Sequence, residues 1–312
     1  MVSTQNGSGT GTGAASALAA LSNELAEAVS RAGAGVVTVN ARRRQPASGI
    51  VWEADGLVVT ANHVVERDEE ITLGLADGRT VDARLVGRDP GTDLALLRTD
   101  AGDLEPAARS GLEPRVGHLT LAIGRPGPSG PMASFGAIST VGGPWRTPSG
   151  ATVDGYLRAD VAMLPGFSGG PLVDGAGGVL GLNSSTLGRG GGLTVPNGAI
   201  DAVLAALQAH GRVRRGYLGI GTQGVTLPEA LVAAHGLPAA RALLITTVEG
   251  GSPAEQGGLL LGDVIVAVDG ATTSEVEQLQ DQLAGDKVGR AIALRLVRGG
   301  EPRELSVTVG ER

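Results

Sequence analysis

Cysteine is absent from the 312 residues. That excludes disulfides, thiolate catalysis and Cys-ligated metals. Aromatic side chains are scarce, with two each of Phe, Trp and Tyr, while glycine is abundant at 52. This combination speaks against a long-helix protein and for short strands joined by tight turns, since glycine supplies the positive φ such turns need. Basic charge is short as well: the net charge is −7, and Lys287 is the single lysine among 25 Lys and Arg residues. Nucleic-acid binding needs clustered cations, so a nucleic-acid partner is not expected. Long apolar runs are missing. Ala14–Leu21 is too short to span a bilayer, and no other run reaches about 18 residues, so no transmembrane segment is expected. The first basic residue is Arg31, so no export signal is expected in the chain as written. As written, the chain reads as cytoplasmic, or extracytoplasmic if a leader was removed. No Walker A, His-Glu-x-x-His or EF-hand pattern occurs, and neither metal nor other cofactor is expected.

A chain of this length exceeds what one hydrophobic core usually supports, about 250–300 residues, so two domains are expected. Residues 1–15 are polar and glycine-rich at their start and read as a disordered tail; residues 16–31 have the apolar spacing of a helix. From Gly35 onward short β-rich runs recur, with Asp55-Gly56 and Asp77-Gly78 between alternating segments as hairpin signals. Dense short strands of this kind argue for an all-β barrel or sandwich. Residues 197–210 read as a helix N-capped by Asn197 and stopped by Gly211, closing a domain of 16–210. The basic connector 211–216 (GRVRRG) leads into a mixed α/β unit, 217–312, with helices expected around 228–235 and 274–283.

Three short motifs carry chemistry: TANHVV with His63, DPGTDLALL with Asp93, and LPGFSGGPLVD with Ser168. Each alone has a bland reading, as an ordinary histidine, a turn or capping aspartate, and a Gly-Ser turn. Asp89 is the better turn residue of the two aspartates. Together they have the parts of acyl transfer. A serine hydroxyl needs a general base, a neutral histidine supplies it near pH 7, and a buried carboxylate fixes that histidine's tautomer. The oxyanion then needs backbone N–H donors. Gly166 permits a turn that aims its own N–H and that of Ser168 into one hole, and Gly169 and Gly170 leave room for a substrate backbone. Two rival motifs are weaker. Gly166–Gly170 also fits the G-x-S-x-G elbow, but Gly-Gly-Pro follows where a helix must start. Gly219–Gly224 fits G-x-G-x-x-G without the βαβ context of a dinucleotide site.

With TANHVV, DGRTVDARLVGRDPGTDLALL, LAIGRPG and LPGFSGGPLVDGAGGVLGLNSS in this order, the chain from about residue 20 to 312 resembles the HtrA/Deg family of serine proteases. The resemblance implies a mainly β fold: a chymotrypsin-like double six-stranded β-barrel of the trypsin-like type, followed by a mixed α/β PDZ domain. It implies a serine endopeptidase of protein quality control that cleaves unfolded or misfolded proteins, with His63, Asp93 and Ser168 as triad. The oxyanion donors are then the backbones of Gly166 and Ser168, with Phe167 contributing. RRGYLGIG resembles a PDZ carboxylate-binding loop at Tyr217, Leu218, Gly219 and Ile220, with Val276, Leu279 and Leu283 forming the side-chain pocket; these three also read as plain core. The expected partners are peptide substrates and, at the PDZ domain, peptide C-termini.

The chain departs from the family pattern in places. Phe167 stands where a small polar asparagine is usual, and would alter a substrate-binding wall or mark an inactive loop. That feature supports a second reading, a catalytically silent binding or chaperone-like protein that keeps the fold. The N-terminal region lacks the aromatics that resembling proteins use to pack a trimer, so a homo-oligomer stays open and a trimer is in doubt. Asn183–Pro196, expected to line the primary specificity pocket, holds no acidic residue. Cleavage after small or medium aliphatic residues is therefore expected rather than after Lys or Arg.

Overall fold

The computed structural model of the chain describes residues 11–43, 45–147, 151–188, 192–283 and 287–311, and of residues 11–15 the backbone alone. It divides into two compact units between Arg212 and Val213.

The first unit opens with helix α1 (Gly11–Ala34). The helix begins inside the stretch expected as tail, because the alanine-rich run has high helix propensity that outweighs its glycines; the rest of that stretch, residues 1–10, lies outside the described residues. Residues 16–24 face solvent, with Leu18 70% exposed, while Ala28 and Ala32 are buried.

Six strands then close a barrel: β1 (Val36–Asn40), β2 (Ala47–Glu53), β3 (Leu57–Ala61), β4 (Ile71–Gly74), β5 (Thr80–Asp89) and β6 (Leu94–Arg98), in the order β1-β2-β3-β6-β5-β4. The two Asp-Gly pairs lie between β2 and β3 and between β4 and β5, with Gly56 and Gly78 at positive φ. A second barrel uses β7 (Leu119–Gly124), β8 (Met132–Gly142), β11 (Tyr156–Ala159), β12 (Pro171–Asp174), β13 (Val179–Ser184) and β14 (Leu193–Pro196), in the order β11-β14-β13-β12-β7-β8. A small hairpin, β9 (Trp145–Arg146) with β10 (Thr152–Val153), sits between β8 and β11 in sequence. All pairings within both barrels are antiparallel.

Helix α2 (Asn197–His210) packs on β5 and β6 of one barrel and on β13 and β14 of the other, burying Ala199, Ile200, Leu204 and Leu207. Gly211 ends it in the left-handed conformation, as expected. Asn197 is not its cap: Pro196 holds that position, and the Asn197 amide donates instead to the Val179 carbonyl at 2.6 Å.

Phe167 is fully buried in the second barrel, against Ala122, Ile138, Leu157, Leu172 and Leu180. Gly124 makes room for the ring, since a Cβ there would lie 2.6 Å from Phe167 Cδ1. The bulky residue therefore belongs to the core and not to a substrate wall.

The second unit is a sheet in the order β16 (Ile220–Thr226), β17 (Arg241–Val248), β18 (Val264–Val268), β20 (Ala291–Arg298), β21 (Glu301–Thr308), with β19 (Ala271–Thr272) paired to β18. β15 (Gly216–Tyr217) and β22 (Gly310–Glu311) join the two ends of this unit's chain. The expected helices form as α3 (Glu229–His235) and α5 (Val276–Gln282). Between them lies α4 (Pro253–Gln256), a short helix capped at its start by Ser252: the Ser252 hydroxyl accepts the Glu255 N–H while the Glu255 carboxylate accepts that of Gly251.

Replacing Phe167 by Ala leaves a ring-sized cavity in the second barrel. It is expected to cost about 3–5 kcal/mol in urea unfolding; an unchanged midpoint would contradict this placement.

Candidate active site

The carboxylate comes first because a turn presents it. At the end of β5 the Asp89 carboxylate accepts the N–H of Gly91 at 3.0 Å, the N–H of Thr92 at 3.2 Å and the Thr92 hydroxyl at 2.7 Å. Asp89 thus makes the turn, which leaves Asp93 for another task. Asp93 stands at φ 57, in the left-handed region that few side-chain-bearing residues adopt. From there it meets the single helical turn Asn62–Val64 that follows β3. Its carboxylate accepts the backbone N–H of His63 at 2.8 Å, and the His63 ring through Nδ1 at 2.7 Å. A carboxylate only accepts, so Nδ1 carries the proton and Nε2 of the neutral ring is bare.

Two hydroxyls from the other barrel complete the carboxylate's shell. Ser184 at the end of β13 donates to Asp93 Oδ2, and Thr186 donates to the same oxygen at 2.9 Å. Asp93 is 4% exposed. Burial opposes its ionisation, yet the His63 ring, the Ser184 hydroxyl and the His63 N–H together hold its carboxyl below the usual carboxylate value.

Ser168, the expected nucleophile, follows a loop of the second barrel. Pro165 and Gly166 occupy the centre of a turn in which the Phe167 N–H donates to the Leu164 carbonyl at 3.0 Å, with Gly166 at φ 87. Proline then glycine is the pair that a type II turn demands. The Phe167 amide is consumed by this turn, which corrects its expected share in the oxyanion hole. The N–H groups of Gly166 and Ser168 have no hydrogen-bond partner among the described residues.

The first barrel clasps this loop through β2. Ser48 donates its hydroxyl to the Gly166 carbonyl at 2.7 Å, accepts the Arg125 N–H at 2.8 Å, and gives its own N–H to the Ser168 carbonyl at 3.2 Å. The Arg125 guanidinium, 7% exposed, reaches the carbonyls of Val36 at 2.7 Å and Gly33 at 2.8 Å. Gly169, at φ 85, fits between barrels so closely that a Cβ would lie 2.1 Å from the Ser48 carbonyl oxygen and 2.3 Å from Thr60 Oγ1.

Ser168 is 7% exposed. Its hydroxyl donates to Ser185 Oγ at 2.9 Å, and Ser185 Oγ lies 3.4 Å from His63 Nε2. No hydrogen bond joins Ser168 directly to His63 among the described residues.

In the second unit Leu218 is buried, its carbonyl accepting the Ala254 N–H at 2.8 Å; Gly219 stands at φ 80, its carbonyl accepting the Glu249 N–H at 2.8 Å; and Tyr217 donates its hydroxyl to Glu249. Ile220 starts β16, the edge strand of its sheet. Leu279 and Leu283 are buried in the same core as Leu218, and Ile220 and Val276 are half-buried at its margin. No cluster of three His, Asp or Glu among the described residues could hold a metal, and no helix among them is long and apolar enough to cross a membrane.

Comparison with known proteins gives the family of the chain. A "Trypsin-like peptidase domain" profile matches residues 47–182 and a "PDZ domain" profile matches 216–309. The solved structure of the HtrA-type protease AlgW with decapeptide superposes at a TM-score of 0.74 and 31% identity, covering 92% of this chain and 98% of that one. The chain belongs to the HtrA-type serine proteases. The serine endoprotease from Yersinia pestis is similar at a TM-score of 0.76 and 30% identity, again over 92% of this chain and 98% of the other. A probable periplasmic serine endoprotease, DegP-like, from Ectopseudomonas mendocina is 36% identical over 84% of this chain. This HtrA-type chain spans only 56% of that relative's length.

Ser48, Arg125, Ser184, Ser185 and Thr186 have no part in the sequence-based reading of the catalytic site. The Ser-Ser-Thr run falls in the segment expected to line the specificity pocket, of which residues 189–191 lie outside the described residues. Three consecutive hydroxyls ending a strand beside the nucleophile are the signal that locates them.

Asp93→Asn keeps the shape but cannot hold the Nδ1–H tautomer, so kcat is expected to fall about 10⁴-fold. The native carboxyl titrates below its usual 3.8, so the stability it confers is fully present above that value and lost as pH falls through the native one. Urea unfolding should therefore find wild type losing stability relative to Asp93→Asn at acid pH; a gap independent of pH would contradict the assignment.

Proposed function

We propose that the chain is a serine endopeptidase of protein quality control, acting on unfolded or misfolded polypeptides through His63, Asp93 and Ser168. The observation that carries this reading is the His63–Asp93 pair on one barrel facing a Ser168 loop held by Ser48 across the cleft. His63 Nε2 takes the Ser168 proton as Oγ attacks the substrate carbonyl. The carbonyl oxygen becomes an anion, received by the free amides of Gly166 and Ser168. His63 then passes the proton to the leaving amine, and water repeats the sequence to free the acyl group. Asp93 stays ionised throughout and stabilises the imidazolium.

The specificity reading rests on composition and on Gly192, where a Cβ would lie 3.5 Å from Met163 Cγ. A segment without an acidic residue, with Met163 beside it, supports cleavage after small or medium aliphatic residues. Phe167, which favours a silent form on sequence grounds, spends its side chain in the core and lends that form no support. In the second unit, the edge of β16 beside the Tyr217–Ile220 loop suits a peptide C-terminus added as a strand, with Val276, Leu279 and Leu283 forming its side-chain pocket. The periplasmic relatives support an extracytoplasmic place of action.

A serine-directed fluorophosphonate should label the wild type and not Ser168→Ala, and a peptide-library digest should favour aliphatic sites. Absence of labelling, or cleavage dominated by Lys and Arg sites, would contradict the proposal. A peptide with an apolar C-terminal residue should bind the PDZ unit, and amidation of its carboxylate should weaken binding roughly 10–100-fold through lost charge-assisted bonds; equal affinities in calorimetry would remove the groove assignment.

A further inference from the structure

The proposed mechanism needs Ser168 Oγ on His63 Nε2, yet its hydrogen-bonding capacity is turned elsewhere. Ser168 donates to Ser185 Oγ at 2.9 Å and accepts the Ser185 N–H at 3.3 Å. Both contacts come from one residue. The next link, Ser185 Oγ to His63 Nε2, is 3.4 Å long, beyond the usual 2.7–3.2 Å range of roughly linear bonds between nitrogen and oxygen. The strong part of the chain of contacts is therefore Ser168 to Ser185, and the weak part is the one that reaches the base.

Resting on the serine-endopeptidase reading, we infer that the Ser185 hydroxyl is a latch that holds the nucleophile of Ser168 away from His63 until a substrate displaces it. Ser185 is well placed for this. It follows Ser184, which is fixed to Asp93 and fully buried, so its backbone has little freedom. Its own side chain is exposed, so its rotation disturbs no packing. The neighbouring hydroxyls have other duties: Ser184 and Thr186 both hold the Asp93 carboxylate. Ser185 alone of the three touches the nucleophile. The competing idea, that Ser185 relays the Ser168 proton to His63, uses the weak contact as its second step and a hydroxyl of low basicity as its intermediate acceptor. The two ideas predict rate changes of opposite sign.

The second-order rate of labelling by a small fluorophosphonate reads this directly, since such a reagent needs no extended peptide site. With its acceptor removed, Ser185→Ala should release Ser168 toward His63 and label faster by about 2–10-fold, the worth of one net hydrogen bond. Ser185→Thr keeps the hydroxyl and should label like wild type. Ser185→Val has the shape of threonine without the hydroxyl and should follow the alanine variant, which separates the latch from simple steric change. Wild type labelled at Ser168 with Ser185→Ala equally fast would overturn the latch while leaving the endopeptidase reading intact. Slower labelling of Ser185→Ala, restored in Ser185→Thr, would overturn it in favour of the relay. Wild type unlabelled at Ser168 would remove both the latch and the reading beneath it.

Discussion

A carboxylate withdrawn from water must have its oxygens filled with donors or give up its charge. Asp93 meets that condition with donors from both barrels. His63 contributes a backbone and a ring N–H from the first, Ser184 and Thr186 contribute hydroxyls from the second. The same four bonds that keep Asp93 ionised thus orient the imidazole and set where the end of β13 lies relative to the turn after β3. Asp93 reaches this place only because Asp89 has taken over the preceding turn and because Asp93 tolerates a positive φ, as short polar side chains do better than most.

The Ser168 loop is held on a separate principle, fixed backbone geometry. In the proposed mechanism the Pro165-Gly166 turn presents the Gly166 amide before any substrate arrives, and Ser48 bonds the carbonyl on the other side of that residue. Preorganised donors of this kind need no rearrangement when charge develops on the substrate. Phe167 ties the loop to the hydrophobic core of the second barrel. Arg125 extends the clasp through Ser48 to the C-terminal end of α1. A buried guanidinium bonded to the Val36 and Gly33 carbonyls is costly, and burial pulls its pKa down.

Local signals made much of this legible. The two Asp-Gly hairpins, the extent of α2 and the three chemical motifs depend on nearby residues, and such features survive folding unchanged. The barrel architecture came through the resemblance, which spans nearly the whole chain. What escaped depends on contacts remote in sequence. Ser48 reads as one polar residue in an apolar strand until the other barrel supplies its partners, 77 and 118 residues away. Beyond the end of a strand the alternation of faces stops, so nothing local tells which way Ser185 and Thr186 point. Leu279 and Leu283 have the spacing of both a groove and a core, and their packing against Leu218 is a contact that local sequence does not announce. The role given to Phe167 failed for the same reason, since Gly124, whose missing side chain admits the ring, is more than forty residues upstream.

The tautomer of His63 bears most directly on this account. Nitrogen-15 NMR of histidine-labelled protein at neutral pH, with His63 assigned through its substitution by Gln, locates the ring proton. The Asp93 shell predicts it on Nδ1, with Nε2 bare and able to accept. A ring carrying its proton on Nε2 would contradict the arrangement from which the site is built.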